Sequence, residues 1–173
     1  YNTGATVVLN ALVEKLSGQI LPDFLRTRLF DPIGVSAGVR CVLRPEGGCW
    51  GGSGILCTAR DLARFALVFL NRGRWGNRQI LPEGFVREAT TAQIPNLTGS
   101  VKPERRYGYG YQIWMTRQNG FAMLGMGGQM ALGVPDKNFL LVTLADTQLT
   151  DNGDVMLADA FWDCVHPHLT ANA

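Results

Sequence analysis

The sequence predicts an α+β fold in which helices pack on an antiparallel β-sheet. Apolar residues recur with helical spacing in several segments of the first hundred residues, and with period two in the segments that follow. A last amphipathic segment closes the chain. Because the helices and strands form separate runs, we expect an antiparallel sheet with helices on it. We predict one domain over residues 1–173, with a mainly helical and loop part at 1–100 and antiparallel strands plus a C-terminal helix at 101–173.

The first part begins with two predicted helices. One apolar stripe defines the first helix, and Gly18 is a plausible end for it; the stripe consists of Val8, Leu9, Leu12, Val13 and Leu16. A second helix begins near Pro22, and Pro32 prevents its continuation. Residues 31–57 are rich in glycine and proline and have no clear period, so we expect loops and tight turns there.

The clearest helix follows this loop. Thr58 and Asp61 form a capping signature of the T-x-x-D type, and apolar residues then recur at helical spacing up to Leu70. Gly73 lies just past the predicted end. A further short helix begins at Pro82 and uses apolar residues up to Ala89.

The pattern of the second part predicts strands. Residues 107–115 alternate in the manner of a strand, and Asn119-Gly120 is a strong hairpin signal before a return strand at 121–124. A second hairpin joins residues 129–134 and 139–145 through a turn at 135–138, and residues 155–165 form a closing helix. We expect three or four strands, with an edge strand that needs covering or pairing.

Composition excludes several function classes. Hydrophobic residues make up 46% of the chain and charged residues 17%, which is typical of a globular protein and excludes a disordered one. The net charge of +2 is too small, and the arginines too scattered, to predict nucleic-acid binding. No run approaches the roughly 18 apolar residues of a membrane span. Because the chain begins at Tyr1 within apparently structured sequence, any targeting signal would lie upstream, and the compartment stays open.

The common catalytic and metal motifs are absent from the sequence. There is no S-x-x-K, G-x-S-x-G, P-loop or HExxH motif. Cys164, His166 and His168 lie close together, but without a CxxC pair we expect no zinc site. Cys41 and Cys49 lie eight residues apart across a loop and could form a disulfide in an exported protein, or remain free thiols.

Five segments together resemble one family of enzymes. The order and spacing of these segments are similar to those of the serine β-lactamase and penicillin-binding-protein-like hydrolases, which include class C β-lactamases, D-alanyl-D-alanine peptidases and family VIII esterases. The segments are Tyr1-Asn2-Thr3-Gly4 with its following helix, residues 23–34 ending in Phe30-Asp31-Pro32-Ile33-Gly34, the block Gly51-Gly52-Ser53 through Thr58-Ala59-Arg60-Asp61-Leu62-Ala63, the run Tyr107-Gly108-Tyr109-Gly110-Tyr111, and the turn Gly125-Met126-Gly127-Gly128-Gln129. The resemblance covers nearly the whole chain and implies a partial β-lactamase/transpeptidase-like fold.

The resemblance also implies a mechanism. In this family a serine of an S-x-x-K motif attacks a carbonyl, lysine and tyrosine transfer protons, and water releases the acyl group. That reaction needs no cofactor, and we expect none. Tyr1 aligns with the catalytic tyrosine of the family. A phenol has a pKa of about 10, so it accepts a proton only where positive charge lowers that value. The alternative is that Tyr1 is simply a frayed terminal residue.

Further site residues follow from the same alignment. Thr3 stands where the family usually has a substrate-binding asparagine, although it could instead only cap the first helix. Met123-Leu124-Gly125 falls at the K-T-G or H-x-G position, and methionine supplies no positive charge to a substrate carboxylate. Gly125 would let substrate approach the backbone, and the N–H of Met126 would form half of an oxyanion hole. A glycine turn without function is the alternative. We expect the three tyrosines at 107–111 to fill structure and not to bind substrate.

The sequence therefore predicts the C-terminal part of a serine hydrolase acting on an ester, amide or lactam, with an esterase or amidase favoured over a β-lactamase. Its partner would be the N-terminal segment that carries the nucleophile, and the isolated chain should be inactive. Two alternatives stay open: a non-catalytic domain of the same fold that binds peptidoglycan or another ligand, and a nicked fragment held by the rest of its chain.

Overall fold

A computed structural model describes residues 1–96, 106–150 and 153–170 of the chain. The chain divides into two compact units, Tyr1–Phe65 and Ala66–Ala173. The boundary between them lies inside a helix, after Phe65. The predicted α+β class is confirmed, because helices and an antiparallel sheet make up the described part of the chain.

The first unit opens with helix α1, Thr3–Ser17. Asn2 caps it by accepting a hydrogen bond from the amide of Ala5 at 3.0 Å, and Gly18 ends it in a left-handed conformation with φ 68°. The predicted helix is therefore confirmed, but the capping role considered for Thr3 is wrong, because Asn2 holds that position. The apolar stripe of α1 is exposed in this chain, whereas Asn10 is the buried residue of the helix.

The second helix has two parts. Helix α2, Leu21–Leu25, continues as one π-helical turn over Arg26–Phe30, and Asp31 follows directly before Pro32. Two short antiparallel strands come next, β1 (Arg40–Cys41) and β2 (Ile55–Leu56), with an irregular loop between them. The buried apolar residues of this unit come from the π-helical turn and from the segments that follow it: Leu29, Phe30, Ile33, Val35, Val39 and Cys49.

Helix α3, Ala59–Leu70, begins with the predicted capping pair. The Asp61 carboxylate accepts hydrogen bonds from the amide of Thr58 at 3.2 Å and from its hydroxyl at 2.7 Å, and the Thr58 hydroxyl accepts from the Asp61 amide. The same carboxylate also accepts from the amide of Ser36 at 2.8 Å and from its hydroxyl at 3.1 Å. Asp61 therefore joins the start of α3 to Ser36, which lies in the segment between the π-helical turn and β1.

The second unit contains the main sheet. A small hairpin of β3 (Arg74–Trp75) and β4 (Arg78–Gln79) and helix α4 (Glu83–Ala89) precede it. Four antiparallel strands follow in the order β5-β6-β7-β8; they are Trp114–Met115, Phe121–Leu124, Gln129–Val134 and Phe139–Leu144. The unit closes with helix α5, Gly153–Ala160, which continues as a π-helical turn over Phe161–Val165 and a short 3-10 turn over His166–His168.

Apolar side chains cover both faces of this sheet because successive residues of a strand point to opposite sides. Phe121 belongs to one buried cluster, together with Leu70 of α3 and Ala89 of α4. Its neighbour Ala122 belongs to a second cluster, together with Ala158 and Trp162 of the closing helical segment. The sheet therefore has helices on both sides within this unit.

Two sequence expectations about the strands need correction. The strand predicted over 107–115 is regular only at Trp114–Met115, because Gln112 adopts a left-handed conformation, φ 59°, that interrupts the extended backbone. The predicted hairpin forms, but Gln118 and Asn119, both with φ 55°, are its central residues, and Gly120 instead donates to the carbonyl of Arg117.

None of the helices in the described part of the chain has the length and apolar character needed to cross a membrane.

Candidate active site

Tyr1 lies at the start of the first unit, directly before α1. Its side chain is 61% exposed, and its hydroxyl donates a hydrogen bond of 2.6 Å to the carbonyl of Gly52. The ring is therefore held at one point although it is the first residue of the chain, which argues against the frayed-terminus alternative. The hydroxyl oxygen keeps its lone pairs for a second hydrogen bond.

The loop that holds Tyr1 packs closely along α1. A Cβ added to Gly52 would lie 2.7 Å from the methyl group of Thr3, and one added to Gly51 would lie 2.3 Å from the Cβ of Asn10. Gly51 also has a left-handed conformation, φ 74°. Glycine is needed at both positions because the loop backbone and the helix approach to a distance that excludes a side chain.

Two polar side chains of α1 anchor the same loop. Asn10, which is 3% exposed, donates to the carbonyl of Cys49 at 2.9 Å. Glu14 accepts from the amide of Cys49 at 2.8 Å, from the amide of Leu21 at 3.2 Å and from the guanidinium of Arg44 at 3.1 Å. The hydrogen bond from the amide of Cys49 is the main cause of a lowered pKa for Glu14, and burial acts in the opposite direction.

Sequence reasoning missed this network. Asn10 and Glu14 are four residues apart, on one face of α1. Polar residues at this spacing are usually solvated, so the pattern by itself gave no signal of a buried anchor. The run of glycines at 51 and 52 was the available signal, since glycine permits close backbone approach.

The glycine turn of the second unit connects β6 to β7. The amide of Gly125 donates to the carbonyl of Gln129 at 2.7 Å, and Gly127 and Gly128 adopt φ values of 84° and 96°. The carbonyl of Gly127 accepts from the amide of Thr147, and that of Gly128 from the hydroxyl of Thr143. These bonds hold the turn against the end of β8.

Met126 stands at the tip of this turn. Its side chain is 87% exposed, and its amide has no hydrogen-bond partner among residues 1–96, 106–150 and 153–170. Met123, in contrast, lies within β6, opposite Ala131, and packs against the apolar cluster that contains Phe121. Gly125 lies between the two methionines at the end of β6.

The tyrosines at 107–111 make structural contacts. Tyr109 packs on Trp114 with ring centroids 4.5 Å apart. The hydroxyl of Tyr111 donates to the Glu88 carboxylate at 2.9 Å, which raises the pKa of Tyr111. Phe85 lies against the Tyr111 ring at 5.9 Å. The contacts of Tyr109 and Tyr111 agree with the expectation that they fill structure, whereas Tyr107 is exposed.

Comparison with known proteins decides the family. The sequence model of the β-lactamase family matches residues 1–160. The chain belongs to the β-lactamase family. This membership supports a hydrolase-type function. No curated protein sequence matches the chain significantly.

Solved structures with the same fold come from several bacteria. A protein from Bacillus anthracis assigned as a 6-aminohexanoate-dimer hydrolase is 24% identical, with a TM-score of 0.79 over 96% of this chain. A β-lactamase from Mycobacterium bovis is 23% identical, with a TM-score of 0.69 over 93% of this chain. At these identities the likeness concerns the fold. This member of the β-lactamase family spans 43% and 62% of the lengths of those two proteins.

No group of three or more His, Cys, Asp or Glu side chains suited to a metal ion occurs in the described part of this β-lactamase-family chain. Tyr1 and Thr3 lie in the first unit, whereas Gly125 and Met126 lie in the second. Tyr1 and Thr3 lie beside the Gly51-Gly52 segment, and Gly125 and Met126 lie in the turn between β6 and β7. Hydrogen bonds hold both segments in place.

Proposed function

We propose that this chain is the C-terminal part of a serine hydrolase that cleaves an ester, amide or lactam through an acyl-enzyme. In the proposed mechanism, Tyr1 transfers the proton of a serine supplied by another segment of the parent protein. The amide of Met126 donates to the oxyanion of the tetrahedral intermediate. Thr3 and Gly125 contact the substrate.

The hydrogen bond between Tyr1 and Gly52 carries this proposal. Proton transfer requires a phenol oxygen at a fixed position, since a small misplacement of a catalytic group costs much of its effect. The hydrogen bond to Gly52 fixes the phenol oxygen, and its exposed lone pair can accept a hydrogen bond from a serine hydroxyl. A neutral phenol cannot also take up the serine proton, so positive charge from another segment of the parent protein must first stabilise the phenolate. Asn10 and Glu14 support this geometry by fixing the loop at Cys49.

The second supporting feature is the exposed amide in the glycine turn. An oxyanion hole needs N–H groups that make no other bond and that face the reacting atom. The amide of Met126 meets the first condition among the described residues, because none of them accepts from it. The two glycines that follow, Gly127 and Gly128, adopt the positive φ values that shape the turn.

An uncharged substrate suits this site best. The sequence alignment puts Met123 at the position of the family's cationic residue, but Met123 packs against an apolar cluster. Methionine therefore stands in place of a cation in this alignment. We therefore favour an ester or amide without a carboxylate at that point.

The proposed partner is the N-terminal segment of the same protein. The chain spans less than two thirds of the two similar structures, so those proteins contain further segments. The exposed apolar stripe of α1 supports such a partner, since helices normally bury an apolar stripe against other elements; its most exposed members are Val8, Leu9, Leu12 and Leu16.

The first test is Tyr1→Phe in the intact parent protein. Loss of the hydroxyl should reduce kcat/KM for p-nitrophenyl acetate at least about 100-fold, the usual contribution of a general acid-base group. Tyr107→Phe is the matched control, because Tyr107 is also an exposed tyrosine and should retain activity. Full activity of Tyr1→Phe would refute the proposed role. The isolated chain should hydrolyse the ester only at the background rate.

The alternative function is a non-catalytic ligand-binding domain of the same fold, which the absence of a cation at Met123 favours. A fluorescent fluorophosphonate separates the two functions because it labels only an activated serine. Stoichiometric labelling of the intact protein supports the hydrolase. Absence of labelling together with saturable binding of peptidoglycan fragments supports the binding domain.

A further inference from the structure

The loop segment of residues 51–53, which receives the Tyr1 hydroxyl, is held by few backbone bonds. Val42 closes the segment at both ends: its carbonyl accepts from the amide of Trp50 at 2.9 Å, and its amide donates to the carbonyl of Gly54 at 2.9 Å. Between these two bonds, residues 51–53 form no backbone–backbone hydrogen bond within the described part of the chain. The shape of the segment therefore depends on side chains that bind it.

Two side-chain hydrogen bonds reach the segment from the residues that the structure describes. The Tyr1 hydroxyl donates to the carbonyl of Gly52 at 2.6 Å. The indole N–H of Trp50 donates to the hydroxyl of Ser53 at 3.1 Å. This second bond spans Gly51 and Gly52, so it joins the two residues that flank both glycines.

The indole of Trp50 also packs against Gly52. A Cβ added to Gly52 would lie 3.3 Å from the indole nitrogen, 2.7 Å from the methyl group of Thr3 and 3.0 Å from a methyl group of Val7. The indole and the start of α1 thus lie on the same side of the Gly52 backbone, and Gly52 is buried there. Because glycine has wide conformational freedom, these neighbours limit the direction of the Gly52 carbonyl.

From this arrangement we propose that Trp50 is a positioning residue, which fixes the carbonyl of Gly52 and through it the hydroxyl of Tyr1. The proposal rests on the proposed role of Tyr1 in proton transfer. In this role Trp50 acts on Tyr1 and does not contact the substrate. Because small displacements of a proton-transferring group are costly, loss of the Trp50 bond should lower kcat and leave KM unchanged.

The chemistry of the bond between Trp50 and Ser53 allows each partner to be removed separately. An indole only donates a hydrogen bond, whereas a serine hydroxyl also accepts one. Trp50→Phe removes the donor and keeps an aromatic ring beside α1. Ser53→Ala removes the acceptor, and since Ser53 is exposed this variant should fold as wild type does. Ser53→Thr keeps a hydroxyl and should restore the bond.

The test is steady-state hydrolysis of p-nitrophenyl acetate by the intact parent protein, with circular dichroism of each variant to confirm folding. We expect Trp50→Phe and Ser53→Ala each to lower kcat about tenfold with KM unchanged, and Ser53→Thr to keep kcat within about twofold of wild type. Trp75→Phe is the matched control, because Trp75 is a half-buried tryptophan of the second unit and should keep wild-type kcat.

A double-mutant cycle distinguishes positioning of Tyr1 from general support of the fold. Adding Trp50→Phe to Tyr1→Phe should lower kcat no further, because the hydroxyl that Trp50 positions is already absent. An undiminished tenfold loss in the Tyr1→Phe protein would overturn the proposal, as would wild-type kcat in Trp50→Phe while Tyr1→Phe is impaired. Wild-type kcat in Tyr1→Phe itself would overturn the proposed function and this proposal with it.

Discussion

Replacement of Asp61 by asparagine tests how α3 is joined to the preceding loop. The carboxylate is 3% exposed and accepts four hydrogen bonds, two from Thr58 and two from Ser36. The Asp61→Asn side chain keeps one acceptor oxygen and replaces the other by an NH₂ group, so at least one donor loses its partner. The variant should unfold more easily at neutral pH.

The pKa of Asp61 gives the expected magnitude. Hydrogen bonds, led by that from the Ser36 amide, lower this pKa from an ordinary 3.8 to about 2. Such a shift corresponds to about 2 kcal/mol of stability at neutral pH. Because the folded pKa is the lower one, this stability is present above pH 3.8 and decreases as the pH falls toward 2. About half of it should be lost at pH 3.

The assay is urea denaturation followed by tryptophan fluorescence at pH 7, 5 and 3. Wild type and Asp61→Asn should differ by about 2 kcal/mol at pH 7 and by about 1 kcal/mol less at pH 3. Asp31→Asn is the matched control, since its carboxylate is 58% exposed and forms an ion pair with Arg26 at 3.6 Å. That variant should differ from wild type by less than about 0.5 kcal/mol at every pH.

A difference between wild type and Asp61→Asn that is the same at pH 3 and pH 7 would contradict a contribution from the Asp61 charge. The same pH dependence in Asp31→Asn would also contradict it. Such results would mean that the Asp61 charge contributes nothing and that only the shape of the side chain matters. The contribution of Arg64, 3.7 Å from Asp61, is tested separately by Arg64→Ala, which should cost at most about 1 kcal/mol.

Two further predictions concern the loop along α1. Glu14→Gln weakens the acceptor of the Cys49 amide and should lower the free energy of unfolding by about 1 to 2 kcal/mol at pH 7, measured by urea denaturation. Because the folded pKa of Glu14 is lowered, this difference should shrink as the pH falls below the ordinary pKa of a glutamate and should vanish only below the folded pKa. Gly51→Ala adds a Cβ 2.3 Å from the Cβ of Asn10 as well as left-handed strain, whereas Gly47→Ala adds strain alone, since nothing lies within 4 Å of its Cβ. In the same assay, Gly47→Ala should lower the free energy of unfolding by roughly 1 kcal/mol, and Gly51→Ala should lower it clearly more. Equal losses for the two variants would contradict the close packing of Gly51 against Asn10.

Some folding signals lie within a few residues of the sequence, and the structure confirms two of them. The T-x-x-D cap predicts the start of α3 because its donors and acceptors are three residues apart. The glycine at position 18 ends α1 for an equally local reason, since only a residue tolerant of positive φ fits there. Family resemblance likewise identified the β-lactamase family, because its segments recur in order along the chain.

Other features depend on contacts between residues distant in sequence, so they become visible in the folded chain alone. The second set of bonds to Asp61 comes from Ser36, and the anchor of Tyr1 comes from Gly52, 51 residues away. The alternation of residues 107–115 predicted a full strand, but the left-handed conformation of Gln112 interrupts it. Signals that span a few residues are enough to predict where α1 ends and where α3 begins. Which side chains the folded chain buries or exposes depends on what packs against them, as the exposed stripe of α1 and the buried Asn10 illustrate.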